Sequence, residues 1–370
     1  DNGIDIINSG DNAEGYFSLD SPESKSLFNE LTFSVDLDIE KDILKLYCCA
    51  LSGQELGVQS SNVMVDKEIG WFNSNLATTE GSTIYLPESI KKFPEKDKNF
   101  SWLKVIATHQ VGHVEFGTFR LKLNSPSSHF KDLRTSLIKK FEENAPKNTT
   151  EITDMTKYFK LFEDSKLAQD IFSVFEAYRV DEKVLSKYRG ISSAYKDVKK
   201  NALESRPELE NLPGRELLIE LIIRYSLSPQ KLKAPKKLES SLKKLLSLLV
   251  ILGKSDSKIE DTAEATLRAY KILIGIKNES QEDFEEYDFE EESFEKFEDS
   301  YNELLEFYSF PSENLIENDT NNISEENNNE EEVDNYSSPQ EVEHWGEFKP
   351  ELSQLLLEMS LGEAEFSEDG

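Results

Sequence analysis

The stretch Trp102–Phe119 (WLKVIATHQVGHVEFGTF) constrains this chain more than any other, because it places His109 and His113 four residues apart. On an α-helix, side chains at this spacing project from the same face, so the two imidazoles can converge on one ion. The chain of 370 residues holds only four histidines. The pattern predicts a helix with a metal-binding face. The alternative is a structural polar cluster of core histidines bonded to carboxylates.

Gln110 stands where a zinc peptidase of the His-Glu-x-x-His type has its catalytic glutamate. That glutamate takes a proton from metal-bound water, whereas an amide accepts no proton near neutral pH. A metal can therefore be held here without the usual hydrolysis. A working peptidase would need another base, and Glu115 or Asp181 are the candidates. Glu115 is poorly placed because it lies two residues beyond His113, on a different helical face.

The segment FEAYRVD (residues 175–181), inside a helix predicted over 166–188, offers a third ligand. Glu176 is the candidate, and Arg179 and Asp181 are candidates for orienting the ligands. A metal-bound imidazole usually donates its other N–H to a carboxylate, which Asp181 can supply. We therefore expect one divalent metal ion, with zinc the first candidate. Its predicted ligands are His109, His113 and Glu176, with Gln110, Arg179 and Asp181 around them.

Hydrophobic periodicity predicts a mainly α fold with a small β-sheet, that is, zincin-like α+β helices followed by a helical bundle. Helical patterns cover residues 130–143, 166–188, 215–227, 236–252 and 258–276. Short β-branched runs between residues 55 and 90 indicate the sheet. The run GSTIYLP (81–87) is predicted to line a cleft where a bound peptide adds as an extra strand, or to be an ordinary edge strand.

The charge distribution divides the chain into predicted regions. Residues 281–370 carry nearly all of the net charge of −31. We predict a flexible entry (1–25), a metallopeptidase-like α+β region (26–200), a helical extension (201–278), and an acidic, largely disordered tail (279–370). Within the tail, residues 344–362 form an amphipathic stretch that can dock as a helix. Such acidity excludes a nucleic-acid surface, which needs clustered Lys and Arg.

Cysteine usage and hydropathy bear on the location of the chain. Its two cysteines, Cys48 and Cys49, are adjacent, and neighbouring cysteines rarely close a disulfide without strain. The longest apolar run, residues 241–252, is too short to cross a bilayer, which takes about 20 apolar residues. We therefore expect a reduced, cytoplasmic protein without a transmembrane segment.

Several segments together resemble one family, the large bacterial VWA-domain accessory proteins of the nitric-oxide-reductase activation (NorD) type, which are related to a Rubisco-activating accessory protein. The segments occur in the family's order and are YFSLDSPES (16–24), LKLYCCALSGQ (44–54), GSTIYLPESI (81–90), KVIATHQVGHVEFGTF (104–119) and IFSVFEAYRVDEKVL with YRGI (171–191). The family's Glu-Asp-x-Arg pattern stands here as Glu176-Ala177-Tyr178-Arg179, which keeps the proposed ligand and loses one acid.

The resemblance implies a layout and a function. Family members have a helical, metallopeptidase-like region, an acidic linker and a VWA domain with a metal-ion-dependent adhesion site. Residues 1–370 contain no DxSxS motif, so the stretch after 279 corresponds to the linker. The resemblance implies an adaptor that works with a MoxR-type AAA+ ATPase to remodel or activate a target enzyme or load its metal. The alternatives are a zinc-dependent metallopeptidase and a structural interaction module with an acidic tail.

Overall fold

A computed structural model describes residues 18, 21, 24, 33–63, 75–144, 153–210, 212–229, 232–276, 286–289 and 336–368. Within these residues the chain is mainly α-helical with small β-sheets, which confirms the predicted fold class. Outside the described residues lie the entry predicted over residues 1–25, except at positions 18, 21 and 24, and the part of the acidic tail from 290 to 335.

The described helices and strands follow one another in a simple order. The helices are α1 (Leu37–Ser52), α2 (Lys96–Glu115), α3 (Arg134–Asn144), α4 (Asp154–Phe159), α5 (Ser165–Lys187), α6 (Ser192–Glu204), α7 (Gly214–Leu227), α8 (Glu239–Leu252), α9 (Ile259–Ile274) and α10 (Pro350–Glu368). The strands are β1 (Val35–Asp36), β2 (Gly57–Ser60), β3 (Thr78–Glu80), β4 (Thr83–Leu86), β5 (Ser89–Ile90), β6 (Leu232–Pro235) and β7 (Glu286–Phe289). The predicted helices after residue 129 are all found, with shifts of a few residues at their ends.

The main sheet has three strands in the order β2-β4-β3. The strand predicted over 81–87 is present as β4, but its predicted place at an edge is wrong. It pairs in parallel with β2 on one side and antiparallel with β3 on the other, so both of its backbone edges are used. Strand β3 lies at one edge of this sheet, and α10 packs against it.

Helix α2 begins before the predicted start at Trp102 and ends before Phe119. It ends at Glu115 because Gly117 adopts the left-handed conformation, with φ of 73°, which costs glycine little. Gly112 has a packing reason to be in the helix. A Cβ at this position would lie 2.6 Å from Cγ1 of Val180 and 3.2 Å from Cγ2 of Val184. The absence of a side chain therefore lets α2 approach α5 closely.

Helix α5 belongs to all three hydrophobic cores of the described structure. One core packs its residues Ile171 and Phe175 against α7, α8 and α9. A second places Val180 and Val184 against α1, α2 and the main sheet, and a third holds Phe172 against α4 and α9. The first core crosses the domain boundary predicted at residue 200, because α5 precedes that residue and the other three helices follow it.

Residues 336–368 return to the body of the protein, although they lie within the tail predicted as largely disordered. Tyr336, Val342 and Trp345 are buried in or beside the largest core, and the predicted docking helix is present as α10. Apolar side chains interspersed among the acids give this part a surface to bury, which the net charge of the tail concealed. No described helix combines the length and apolar character that a bilayer-spanning segment needs.

Candidate functional site

The close approach of α2 and α5 brings most of the predicted site residues into one buried group. We call it the histidine cluster and define it as His109, His113, Thr118, Glu176, Arg179 and Asp181. All six side chains are buried, with exposed fractions of 0 to 3%. Charged groups at this depth persist only when they are paired and hydrogen-bonded, so the partners of each atom decide what the cluster can do.

His109 binds Asp181 as predicted. Its Nδ1 lies 2.8 Å from Oδ1 of Asp181. The other carboxylate oxygen lies 3.2 Å from Nζ of Lys199 and accepts the indole N–H of Trp345 at 3.1 Å. Burial alone would raise the pKa of Asp181, but the charges of Lys199 and His109 outweigh burial and hold the pKa well below its ordinary value. Asp181 is therefore a buried anion.

Glu176 lies one hydroxyl group away from the histidines. Its carboxylate forms a two-pronged ion pair with Arg179, with Nε and Nη2 at 2.8 and 2.5 Å. It also accepts hydrogen bonds from Thr118 and Thr262. Thr118 in turn lies 3.1 Å from Nδ1 of His113. Glu176 thus contacts His113 only through Thr118.

The hydrogens that each group can donate assign the direction of the hydrogen bonds from His113 through Thr118 to Glu176. A carboxylate paired with Arg179 only accepts, so the hydroxyl of Thr118 donates to Glu176. Nδ1–H of His113 then donates to Thr118, which leaves Nε2 of His113 as an acceptor. Burial and the charges of His109 and Arg179 lower the pKa of His113 well below 6.5, which agrees with one proton on its ring. Nε2 of His109 lies 3.1 Å from Nε2 of His113, within hydrogen-bond distance.

This arrangement fits a metal ion poorly. The two Nε2 atoms lie 3.1 Å apart, within hydrogen-bond distance of each other, and a proton between them would compete with a metal for the same lone pairs. Glu176 is already satisfied by Arg179 and two hydroxyls. Among the described residues, no group of three or more His, Cys, Asp and Glu side chains is arranged to hold a metal ion. The zinc site at His109, His113 and Glu176 stays a prediction.

Gln110 points away from the two imidazoles and uses both ends of its amide. Its Oε1 accepts a hydrogen bond from Thr79 of β3 at 2.8 Å, and its Nε2 donates to the main-chain carbonyl of Trp345 at 2.7 Å. The residue that would be the catalytic base in a peptidase thus contacts the main chain of a distant segment. An amide suits this task, because it offers a donor and an acceptor together.

Three residues that the sequence reasoning missed close the site, namely His344, Trp345 and Phe348. The ring of His344 is buried beside Asp181, with Nε2 at 3.5 Å from Oδ2. Phe348 stacks on His113 with ring centroids 5.1 Å apart. The signal available in the sequence was the motif HWGEF, in which a histidine and two aromatic residues interrupt a run of acids.

Residues 344–348 (HWGEF) cover a surface that forms a cleft. We define the cleft by Ala77, Thr79, Gln110, His113, Phe172 and Asp181. Where the segment crosses α5, a cavity of about 260 Å³ remains between them, and both histidines of α2 reach it. The contact between this segment and α5 is therefore incomplete.

No protein-family model matches the chain, and neither a curated protein nor a solved structure matches it. Its function is therefore inferred from the geometry of the site.

Proposed function

We propose that this chain is a non-catalytic adaptor that holds an extended protein segment in the cleft. The observation that carries this proposal is the double hydrogen bond of Gln110, which joins Thr79 of β3 to the main-chain carbonyl of Trp345. A side chain at the position of the catalytic base is used to bind peptide backbone. Main-chain recognition at a sheet edge is a common way to bind an extended segment.

A second main-chain bond supports peptide binding in the cleft. The N–H of Glu347 donates to the carbonyl of Ala77 at 2.7 Å, directly before β3. With the bond from Gln110, the carbonyl of Trp345 and the N–H of Glu347 are both satisfied by the cleft. Both bonds are made to backbone atoms of the segment, so neither depends on the side chain of Glu347.

The rival function is a zinc-dependent metallopeptidase, which is favoured by the approach of the two Nε2 atoms to 3.1 Å. The two candidate bases argue against it. Glu115 accepts hydrogen bonds from Tyr188 at 2.8 Å and pairs with Lys187, and Asp181 binds His109 at Nδ1, the nitrogen that faces away from His113. Neither carboxylate lies where it would take a proton from water held between the imidazoles.

The identity of the partners comes from the motif resemblance. We propose that the adaptor works with a MoxR-type AAA+ ATPase and presents a target enzyme for remodelling, activation or metal loading. The free thiols Cys48 and Cys49 support the proposed cytoplasmic location. The excess of acidic over basic residues between positions 281 and 370 supports a protein target rather than a nucleic acid.

The adaptor and peptidase functions are separated by a cleavage assay on casein with the full chain, its Gln110→Glu variant and added zinc. We expect no cleavage by the natural chain. Cleavage that is lost on chelation would overturn the proposal. Metal analysis of the purified chain beside His109→Ala tests the zinc site separately, because metal bound only by the natural chain would establish a site at the histidines without giving it a catalytic base.

The partner is tested by titrating the full chain into a purified MoxR-type AAA+ ATPase while ATP hydrolysis is measured. We expect saturable binding and a changed hydrolysis rate. An unchanged rate together with no binding would remove this partner, without bearing on whether the cleft binds a segment.

A further inference from the structure

We propose that the cleft recognises an extended segment with a Trp-Gly step, and that residues 343–348 (EHWGEF) are an internal ligand which a partner's equivalent segment displaces. We call residues 343–348 the internal segment. This inference rests on the proposed binding function of the cleft and adds the class of its ligand and the manner of its control.

Trp345 supplies the anchor. Its indole N–H donates to the buried anion Asp181 at 3.1 Å, while its carbonyl accepts from Gln110 at 2.7 Å. Trp345 is thus hydrogen-bonded to a side chain of α5 and to a side chain of α2. A hydrogen bond to a buried carboxylate is stronger than one between neutral groups, so the cleft favours Trp over Phe or Leu at this position.

Gly346 is required by the approach of the backbone to the cleft. Its φ is 73°, and a Cβ there would lie 2.2 Å from the carbonyl oxygen of Ala77 and 2.9 Å from Nε2 of Gln110. The carbonyl belongs to main chain beside β3 and cannot move aside as the end of a side chain can. The cleft therefore accepts glycine alone after the Trp, which makes Trp-Gly the distinguishing step of the ligand.

Two features show that the contact of the internal segment with the cleft is incomplete. Nδ1 of His344 is buried and has no hydrogen-bond partner among the described residues, so part of the polar surface of the segment is left unsatisfied in the cleft. The cavity of about 260 Å³ beneath the segment also leaves its contact with α5 incomplete. At the solvent side, Glu343 pairs with Lys92, and the side chain of Glu343 is half exposed.

Covalent attachment explains how a ligand with imperfect contacts stays in place. The internal segment joins the body through residues 290–335, so it competes with any free segment from within the same molecule. Attachment makes the return of the segment to the cleft an intramolecular step, which raises its effective concentration. A partner's segment must therefore be presented at high local concentration, or the internal segment must first be withdrawn.

The test uses the full chain with a specific protease site inserted between Asn328 and Asn329. The probe is a fluorescent peptide of residues 336–356, followed by anisotropy. After cleavage and gel filtration at nanomolar concentration, we expect the released fragment to leave and the cut chain to bind the peptide at least about tenfold more tightly than the uncut chain. A peptide carrying Gly346→Val should not bind.

A second variant tests the proposal without cleavage. The uncut chain with Gly346→Val should bind the natural peptide as tightly as the cut chain does, whereas Glu204→Gln, which changes an exposed carboxylate outside the cleft, should behave as the natural chain. The proposal is overturned if the cut fragment stays bound through gel filtration, if the cut chain without it loses its thermal unfolding transition, or if neither opened form binds the peptide. None of these results depends on the casein assay, so the two proposals fail separately.

Discussion

Two buried charged clusters on neighbouring helices differ in where their partners come from. The Glu264 cluster consists of Glu264 and Arg268 of α9 and Arg134 of α3. Glu264 binds Nε of Arg134 at 2.9 Å and Nη1 of Arg268 at 2.6 Å. It also accepts the main-chain N–H groups of residues 133 and 134. Each of these partners belongs to the α3 region or to α9 itself, and the cluster fastens the start of α3 to α9.

The histidine cluster is equally buried but is completed from outside the helical body. Asp181 receives one of its hydrogen bonds from Trp345, and His113 is covered by Phe348. Its centre holds imidazoles, which can be neutral when buried, in place of guanidinium groups, which stay charged. Burial of charge alone therefore does not indicate function. An incomplete cover and a centre made of imidazoles are what set the histidine cluster apart.

The largest effect is expected when the Glu264 cluster is broken. Glu264→Gln leaves Arg134 and Arg268 buried without their anion, and we expect a loss of about 3–5 kcal/mol in the free energy of unfolding, measured with urea. The control is Glu204→Gln, which removes an exposed carboxylate near Lys200 and should cost less than about 1 kcal/mol. Equal losses in the two variants would contradict the structural role of the Glu264 cluster.

A smaller effect is expected from separating α2 and α5. Gly112→Ala places a methyl group against Val180, and we expect a loss of about 2 kcal/mol from overpacking. Amide hydrogen exchange should quicken in α2 and α5 around the histidine cluster and stay unchanged in α3. Gly190→Ala is the matched control, because a Cβ there meets nothing within 4 Å. A stable Gly112→Ala variant would show that the helices can move apart freely.

The two threonines that bind Glu176 allow a finer comparison. Thr118→Val breaks bonds to both Glu176 and His113, whereas Thr262→Val breaks only the bond to Glu176. We expect losses of about 1.5 and 1 kcal/mol respectively, since each net hydrogen bond is worth about 1 kcal/mol. Nitrogen NMR of the His113 ring should change in Thr118→Val alone. An unchanged spectrum would contradict the assigned direction of the hydrogen bonds from His113 to Thr118 and from Thr118 to Glu176.

The smallest effect is a pH dependence of the free energy of unfolding that comes from the buried His344. Burial lowers the pKa of His344 below 6.5, so the unfolded chain binds this proton at a higher pH than the folded chain does. Its contribution therefore makes the protein less stable as the pH falls below 6.5. Unfolding measured between pH 7 and 5 should show a shallower decline for His344→Asn than for the natural chain. Parallel slopes in the two proteins would contradict a neutral buried His344.

Sequence reasoning predicted those parts of the molecule that depend on local periodicity. The helices after residue 129 follow from residue spacing, and the glycine at 112 indicated a close packing partner. The position of β4 at the centre of its sheet did not follow, because the order of strands depends on long-range pairing. The return of Trp345 to α2 did not follow either, since net charge averaged over a long stretch hides a short aromatic motif.

The order of the chain adds a consequence in time. Synthesis proceeds from the N-terminus, and domains generally fold as they emerge. Helices α2 and α5, which with Thr118 hold the histidine cluster, are complete before residue 188, whereas Trp345 is made later. During that interval the ribosome-bound chain carries the cleft but lacks the segment that covers it. A newly made molecule therefore exposes the cleft before the segment that covers it has been made.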